Sequence, residues 1–264
     1  MKRFLGFFIA ILLVPGAFSA CAPSDSDTNA TTTTTTTTTV IDNSPAVTFV
    51  DVDVEKAVRE ELKKPEGAIT ENDLLRITTL GVKGYDITLT DLYHMPNIEY
   101  ISFKEISESL DMAPVNSLKN LRSFATLLGE LEDISFLEGL TELEYLYVGK
   151  NAITDISVLR GLTKLKEIDL TQNLFELDDM TIFSQMPDLE YLSIDCVLIR
   201  SLKGIESLKN LKRLNIYDTG FDDFSPLLEL TQLEELWLCS LDVTQEEIDA
   251  LKKALPNCEI CVNQ

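Results

Sequence analysis

From residue 95 onward, the apolar residues of this chain keep a phase that returns about every 22 residues. The stretch 140–161, LTELEYLYVGKNAITDISVLRG, sets the pattern. Leu140, Leu143, Leu146, Val148, Ile153, Ile156 and Leu159 are apolar, and Asn151 stands where the chain must turn. Neither the helical period nor strict strand alternation fits the whole stretch. A short strand, a tight turn and a return segment do. The phase recurs at Leu118, Leu121 and Phe124, at Leu162, Leu165 and Ile168, at Met186, Leu189 and Leu192, at Leu208, Leu211 and Leu214, and at Leu230, Leu233 and Leu236. The unit opening at Leu162 is two residues longer than its neighbours, which predicts a bulge on its return side near 178–182.

A strand–turn–return unit of this length is one coil of a leucine-rich repeat. One coil cannot bury its own apolar side. Stacked coils share a continuous core, and their strands pair in parallel at about 4.8 Å. The predicted fold class is therefore an α/β solenoid, with leucine-rich repeats over 95–243 and short parallel strands on the concave face. The open ends of such a core need covering. Over 47–94 the sequence predicts an N-terminal helical cap and a partial first coil. Val54, Ala57, Val58 and Leu62 lie at helical spacing behind Asp53 as N-cap, and a second helix starts at Thr70 with Asp73 three residues on. Over 244–264 it predicts a helix–strand cap. Thr244 and Glu247 form a capping box, Ile248, Leu251 and Leu255 share one face, Pro256 stops the helix, and 258–262 reads as a last strand. At the turn position, Asn151 and Asn173 can bond the backbone of neighbouring coils, whereas Gly129, Val197, Thr219 and Leu241 stand there in the other units.

The region before the repeats has a different character. Residues 1–20 carry Lys2 and Arg3, an apolar run too short for an ordinary membrane span, and the small residues Ser19 and Ala20 before Cys21. That is the pattern of a secretory signal. The FSAC ending resembles a bacterial lipoprotein cleavage box, which implies lipid attachment at Cys21 and a membrane anchor through it. Residues 21–46, with an unbroken threonine run over 31–39, contain no apolar period and predict a disordered tether.

The LxxLxxLxL units with NAITDI after the strand resemble the internalin-type subfamily of bacterial leucine-rich repeat proteins. VEKAVREELKKPEGAITENDLLRIT resembles the helical cap of such surface proteins, and EIDALKKALPNCEI a C-terminal cap of related repeats. The resemblance covers about residue 47 to the end. It implies an exported, outward-facing protein of the cell envelope with a protein-binding role and no catalytic residues to carry over.

Strand residues alternate between core and concave face. The register places Tyr100, Tyr145, Tyr147, Glu167, Asp169, Tyr191, Asp195, Arg213, Tyr217, Glu235 and Trp237 on that face. Five of the seven Tyr and the single Trp gather there. Aromatic side chains with polar tips are good anchors for a protein partner, although Tyr and Trp also favour strands for conformational reasons. The same face would stack on sugar rings, so a glycan ligand is the alternative, and a passive envelope scaffold the third reading. The formal charge of −22 excludes nucleic acid as a natural partner. The carboxylates interleaved with the Tyr on the concave face suit a partner with basic or hydroxyl-rich groups, and a monomer is expected.

Other chemistry is weakly supported. Glu167, Asp169 and Asp195 form a carboxylate cluster of the kind glycosidases use, but an open sheet lacks the enclosed pocket that tunes an acid. His94 is the only histidine, which excludes most triads. Asp51, Asp53 and Glu55 lack the spacing of a calcium loop. No metal and no cofactor are expected. The CEIC motif sits on an edge strand rather than at a helix start, where a redox thiolate would be stabilised. If Ile260 aligns with Leu238, Cys261 lies beside Cys239 and a cross-strand disulfide between them becomes feasible.

Overall fold

The computed structural model describes residues 44–262 apart from 105, 128, 218 and 240. The expectations for residues 1–20, for Cys21 and for most of the tether lie outside the described residues.

The chain enters through two helices, α1 (Val52–Leu62) and α2 (Glu71–Leu74). The sequence points to Asp53 as the first N-cap, but the cap is Asp51, whose Oδ1 accepts from the Asp53 and Val54 amides. The chain fold decides between the two aspartates. Asp51 Oδ2 also accepts from the Thr88 amide at 2.7 Å, and the buried Asp91 accepts from the amides of Val50 and Asp51. The helix start is thereby tied to the first coil. Lys63 in left-handed conformation ends α1. Thr70 and Asp73 form a complete capping box at α2.

The strands follow as β1 (Thr79–Lys83), β2 (Tyr100–Lys104), β3 (Ser123–Leu127), β4 (Tyr145–Tyr147), β5 (Glu167–Asp169), β6 (Glu176–Leu177), β7 (Tyr191–Ser193), β8 (Leu198–Ile199), β9 (Arg213–Asn215), β10 (Glu235–Trp237) and β11 (Glu259–Cys261). Among the described residues, nine of them form one sheet in the order β1-β2-β3-β4-β5-β7-β9-β10-β11. Every adjacent pair is parallel. Strand order follows chain order, as it must when each coil stacks only on the one before it. The return segments carry short 3₁₀ turns such as Ser157–Gly161 and Ser225–Glu229. Asp133, Asp155, Asp179 and Asp223 each cap the amide two residues on, at the start of one of these turns. The two extra residues of the longer unit lie between Asn173 and the turn at Thr181–Phe183, and there β6 pairs with β8 in a separate two-stranded ribbon.

The core is the continuous seam read from the sequence. Leu118, Leu143, Leu165, Leu189 and Leu211 are fully buried, as are Phe124, Leu146, Ile168, Leu192, Leu214 and Leu236 in the strands. Near its start, Phe124 bridges Phe103 and Phe136, with ring centroids 6.0 and 5.2 Å apart. α3 (Gln245–Ala254), with the Thr244–Glu247 capping box, closes the far end by burying Ile248 and Leu251.

The turn asparagines join coil to coil. Asn151 Oδ1 accepts from the Leu131 amide of the preceding coil, while its Nδ2 donates to the Val148 carbonyl and Thr126 Oγ1. Asn173 repeats this one coil on, accepting from Ile153 and donating to the Val148 and Leu170 carbonyls. Gly129 has a reason to differ. A Cβ there would stand 2.7 Å from Asn151 Oδ1, so the absent side chain makes room for the next coil's amide.

Candidate interaction face

The register brings the predicted site residues into rows running across the strands. One row is Tyr100, Ser123, Tyr145, Glu167, Tyr191, Arg213, Glu235 and Glu259. The next is Ser102, Ala125, Tyr147, Asp169, Ser193, Asn215, Trp237 and Cys261. Backbone bonds from Lys150 to Thr171, Gln172 to Asp195 and Cys196 to Tyr217 continue the pairing into a third row with Thr171, Asp195 and Tyr217. Tyr100, Tyr145, Tyr147, Glu167, Asp169, Tyr191, Arg213, Tyr217, Glu235 and Trp237 are all half-buried on this face. Asp195 differs. It is only 8% exposed, held between Ser193 Oγ at 3.2 Å and Asn215 Nδ2 at 3.4 Å. It braces the face rather than presenting a carboxylate.

Several of these groups hold one another. Tyr147 donates its hydroxyl to Glu167 Oε2 at 2.6 Å. Arg213 approaches the other Glu167 oxygen at 3.5 Å and lies over the Tyr191 ring, 4.7 Å from its centroid. Such a cation over an aromatic face is attracted by the ring quadrupole. Burial, then the bond to Glu167, raises the Tyr147 phenol well above the ordinary tyrosine range. Burial and the Asp169 charge push Tyr191 up to about 12. Both tyrosines stay protonated as donors at any physiological pH.

Asp169 is raised above the usual carboxylate value by burial, with Asp195 adding to the effect and Thr171 opposing it. Its carboxylate fits because Gly149 stands opposite; a Cβ at Gly149 would lie 2.9 Å from Asp169 Oδ1. The folded state therefore binds this proton more readily than the unfolded chain does. Its ionisation costs stability as pH rises through the raised pKa, and the cost disappears as pH falls toward the ordinary carboxylate value. Asp169→Asn keeps the acceptor for the Thr171 amide, 3.0 Å away. It is expected to raise the thermal midpoint at pH 7 and to match the unsubstituted protein near pH 4. Melting curves across that pH range check this.

One set of residues was not legible as a site. Immediately before β2, β3, β4, β5, β7, β9 and β10 stand Glu99, Arg122, Glu144, Lys166, Glu190, Lys212 and Glu234, and the amide of each donates to the carbonyl of the one before, from Arg122 onward. Their charges alternate along the row. Arg122 and Lys166 both bond Glu144, and Lys212 bonds Glu190 at 2.6 Å. Burial works to raise the Glu144 carboxyl, but bonds from Lys166 and Arg122 outweigh it and hold it below the usual range. The signal lies in the sequence, but only once coils are aligned one under another.

The remaining expectations fall as follows. His94 is exposed at the end of a 3₁₀ turn, away from the face. Among the described residues, no group of three His, Cys, Asp or Glu is arranged to hold a metal, and no helix is long and apolar enough to cross a membrane. The β11 register differs from the expectation. Ile260 aligns with Leu236, not Leu238, because the Glu259 amide anchors on the Glu234 carbonyl at 2.7 Å. Cys261 therefore stands opposite Trp237.

The parallel nine-stranded sheet, the seam of leucines and the asparagine turns decide the architecture. The fold is a leucine-rich repeat solenoid. A family model described as Leucine Rich repeats (2 copies) matches residues 141–182. An internalin from Listeria monocytogenes (inlF) shares 25% identity with a TM-score of 0.68, over 82% of this chain and 65% of that one. Internalin C2 of the same organism shares 23% identity with a TM-score of 0.72, over 81% of this chain and 93% of that one. A leucine-rich repeat protein of Leptospira interrogans shares 23% with a TM-score of 0.64, over 73% and 51%. The chain thus spans 65% of the inlF structure's length. No curated protein matches the sequence. These likenesses carry the fold.

Proposed function

We propose that this leucine-rich repeat domain is a non-catalytic binding module that engages a protein partner through the aromatic face of its sheet. On this reading it is exported and held to the cell envelope by lipid at Cys21. The observation that supports it is the gathering of Tyr145, Tyr147, Tyr191 and Trp237 with Glu167 and Arg213 on the open face of the sheet, where Tyr147, Glu167, Arg213 and Tyr191 hold one another in place. Ordering these groups before contact lowers the entropic cost of binding. Half-buried aromatic side chains are the kind that dominate binding energies. The carboxylates interleaved with them suit a partner bearing basic groups, so binding weakens with salt.

The test is a crosslinking pulldown from intact cells with the mature chain as bait, followed by mapping of the crosslinked residues. Substituting Tyr145, Tyr147, Tyr191 and Trp237 together by Ala is expected to abolish capture of a protein crosslinked at this face, a loss of at least ~100-fold in affinity for several anchors. Retained capture overturns the reading. Loss confined to a glycan-array signal transfers the face to a sugar ligand.

A further inference from the structure

We propose that Cys239 and Cys261 are a modification site, joined as a disulfide that fastens the last strand of the sheet to its neighbour. All four described cysteines are thiols in this structure. The Sγ atoms of Cys239, two residues past the end of β10, and Cys261, at the end of β11, stand 3.2 Å apart. A disulfide needs about 2.05 Å, so closure requires about 1.2 Å of approach. Cys261 pairs directly with Trp237, so the two cysteines are diagonal neighbours and β11 must shift slightly to close the bond. That shift is open to it. β11 ends the sheet, is paired on one side only and spans three residues.

The other cysteines do not compete. Cys258 packs against the core, and burial, with Glu235 and Glu259, pushes its thiol up to about 11. Despite the CEIC spacing, the structure sets the Cys261 sulfur beside Cys239. Cys196 belongs to another coil and lies against Asp195 at 3.9 Å. Cys261 is exposed and Cys239 half-buried, so a dissolved oxidant reaches the pair.

The oxidant is a disulfide compound. The Cys261 thiolate attacks one of its sulfurs and expels the other as a thiol. The Cys239 thiolate then attacks the Cys261 sulfur of the mixed disulfide, forms the Sγ–Sγ bond and expels the second thiol. Two electrons pass to the oxidant, and the two protons given up by the cysteines end on its thiols. The consequence is local. The last coil of a solenoid frays first because it has a neighbour on one side only, and a crosslink there removes that opening.

The test treats the full chain with oxidised glutathione, quenches by alkylation and maps tryptic peptides without reduction. The expected result is a link between the Cys239 peptide and the peptide after Lys253. Cys258 and Cys261 share that peptide, so Cys258→Ser must keep the link and Cys261→Ser must lose it. Hydrogen exchange at Leu238 and Glu259, whose amides bond Cys261 and Glu234, is expected to slow at least ~10-fold on oxidation. A Cys258–Cys261 bridge, persistent thiols at Cys239 and Cys261, or unchanged exchange in the linked protein would overturn the proposal. It stands apart from the binding reading, since neither result depends on a partner.

Discussion

Asn173→Ala is expected to cost about 3–4 kcal/mol of folding stability, because it strips partners from two buried backbone groups at about 1–3 kcal/mol each. The buried Ile153 amide loses its acceptor and the Leu170 carbonyl its donor. Asn173 is only 5% exposed, so these groups lie away from bulk water. Thr219 provides the internal comparison. It occupies the same turn position two coils later, where its hydroxyl donates to the Ile216 carbonyl at 3.0 Å. Thr219→Ala should cost only ~1 kcal/mol. Urea unfolding of both variants decides the matter. Equal losses would mean that the asparagine joins the coils no better than a hydroxyl does.

Phe124→Ala is the second large effect, at about 3–5 kcal/mol for a fully buried ring. Phe124 is 0% exposed and touches Phe103 of the preceding coil and Phe136 on the return side of its own, so two successive coils lose contacts at once. Phe124→Leu keeps most of the volume and is expected to cost less than half as much. In a stack stabilised by neighbouring coils, a void at one junction weakens cooperation across it. The signature is a broadened unfolding transition for Phe124→Ala with a lowered denaturant slope, against a sharp, merely shifted one for Phe124→Leu. A sharp transition for both would mean the void is absorbed by local collapse.

How much of this was legible depended on the range of each interaction. The coil phase, the buried leucines, the Thr70 and Thr244 capping boxes and the turn asparagines are written in local spacing, and the structure places them as read. The rows on the sheet's open face follow from that phase, so Tyr145, Tyr147, Tyr191 and Trp237 were found together. What the spacing does not carry is contact between distant residues. Asp51 rather than Asp53 caps α1 because Thr88 and Asp91 hold it there. Asp195 turns out to be bracing because Asn215, a coil away, reaches it. The β11 register was left conditional because the helix and turn before it replace an ordinary coil, leaving no apolar series to count from, and the structure pairs Ile260 with Leu236.

The alternating row of Glu99, Arg122, Glu144, Lys166, Glu190, Lys212 and Glu234 gives this molecule a parity. Excising or duplicating a single repeat would set two like-signed side chains shoulder to shoulder, whereas changing the number of repeats by two would restore the order of plus and minus. Lineages derived from this chain, or shortened and lengthened versions built from it, should therefore vary most readily in steps of two.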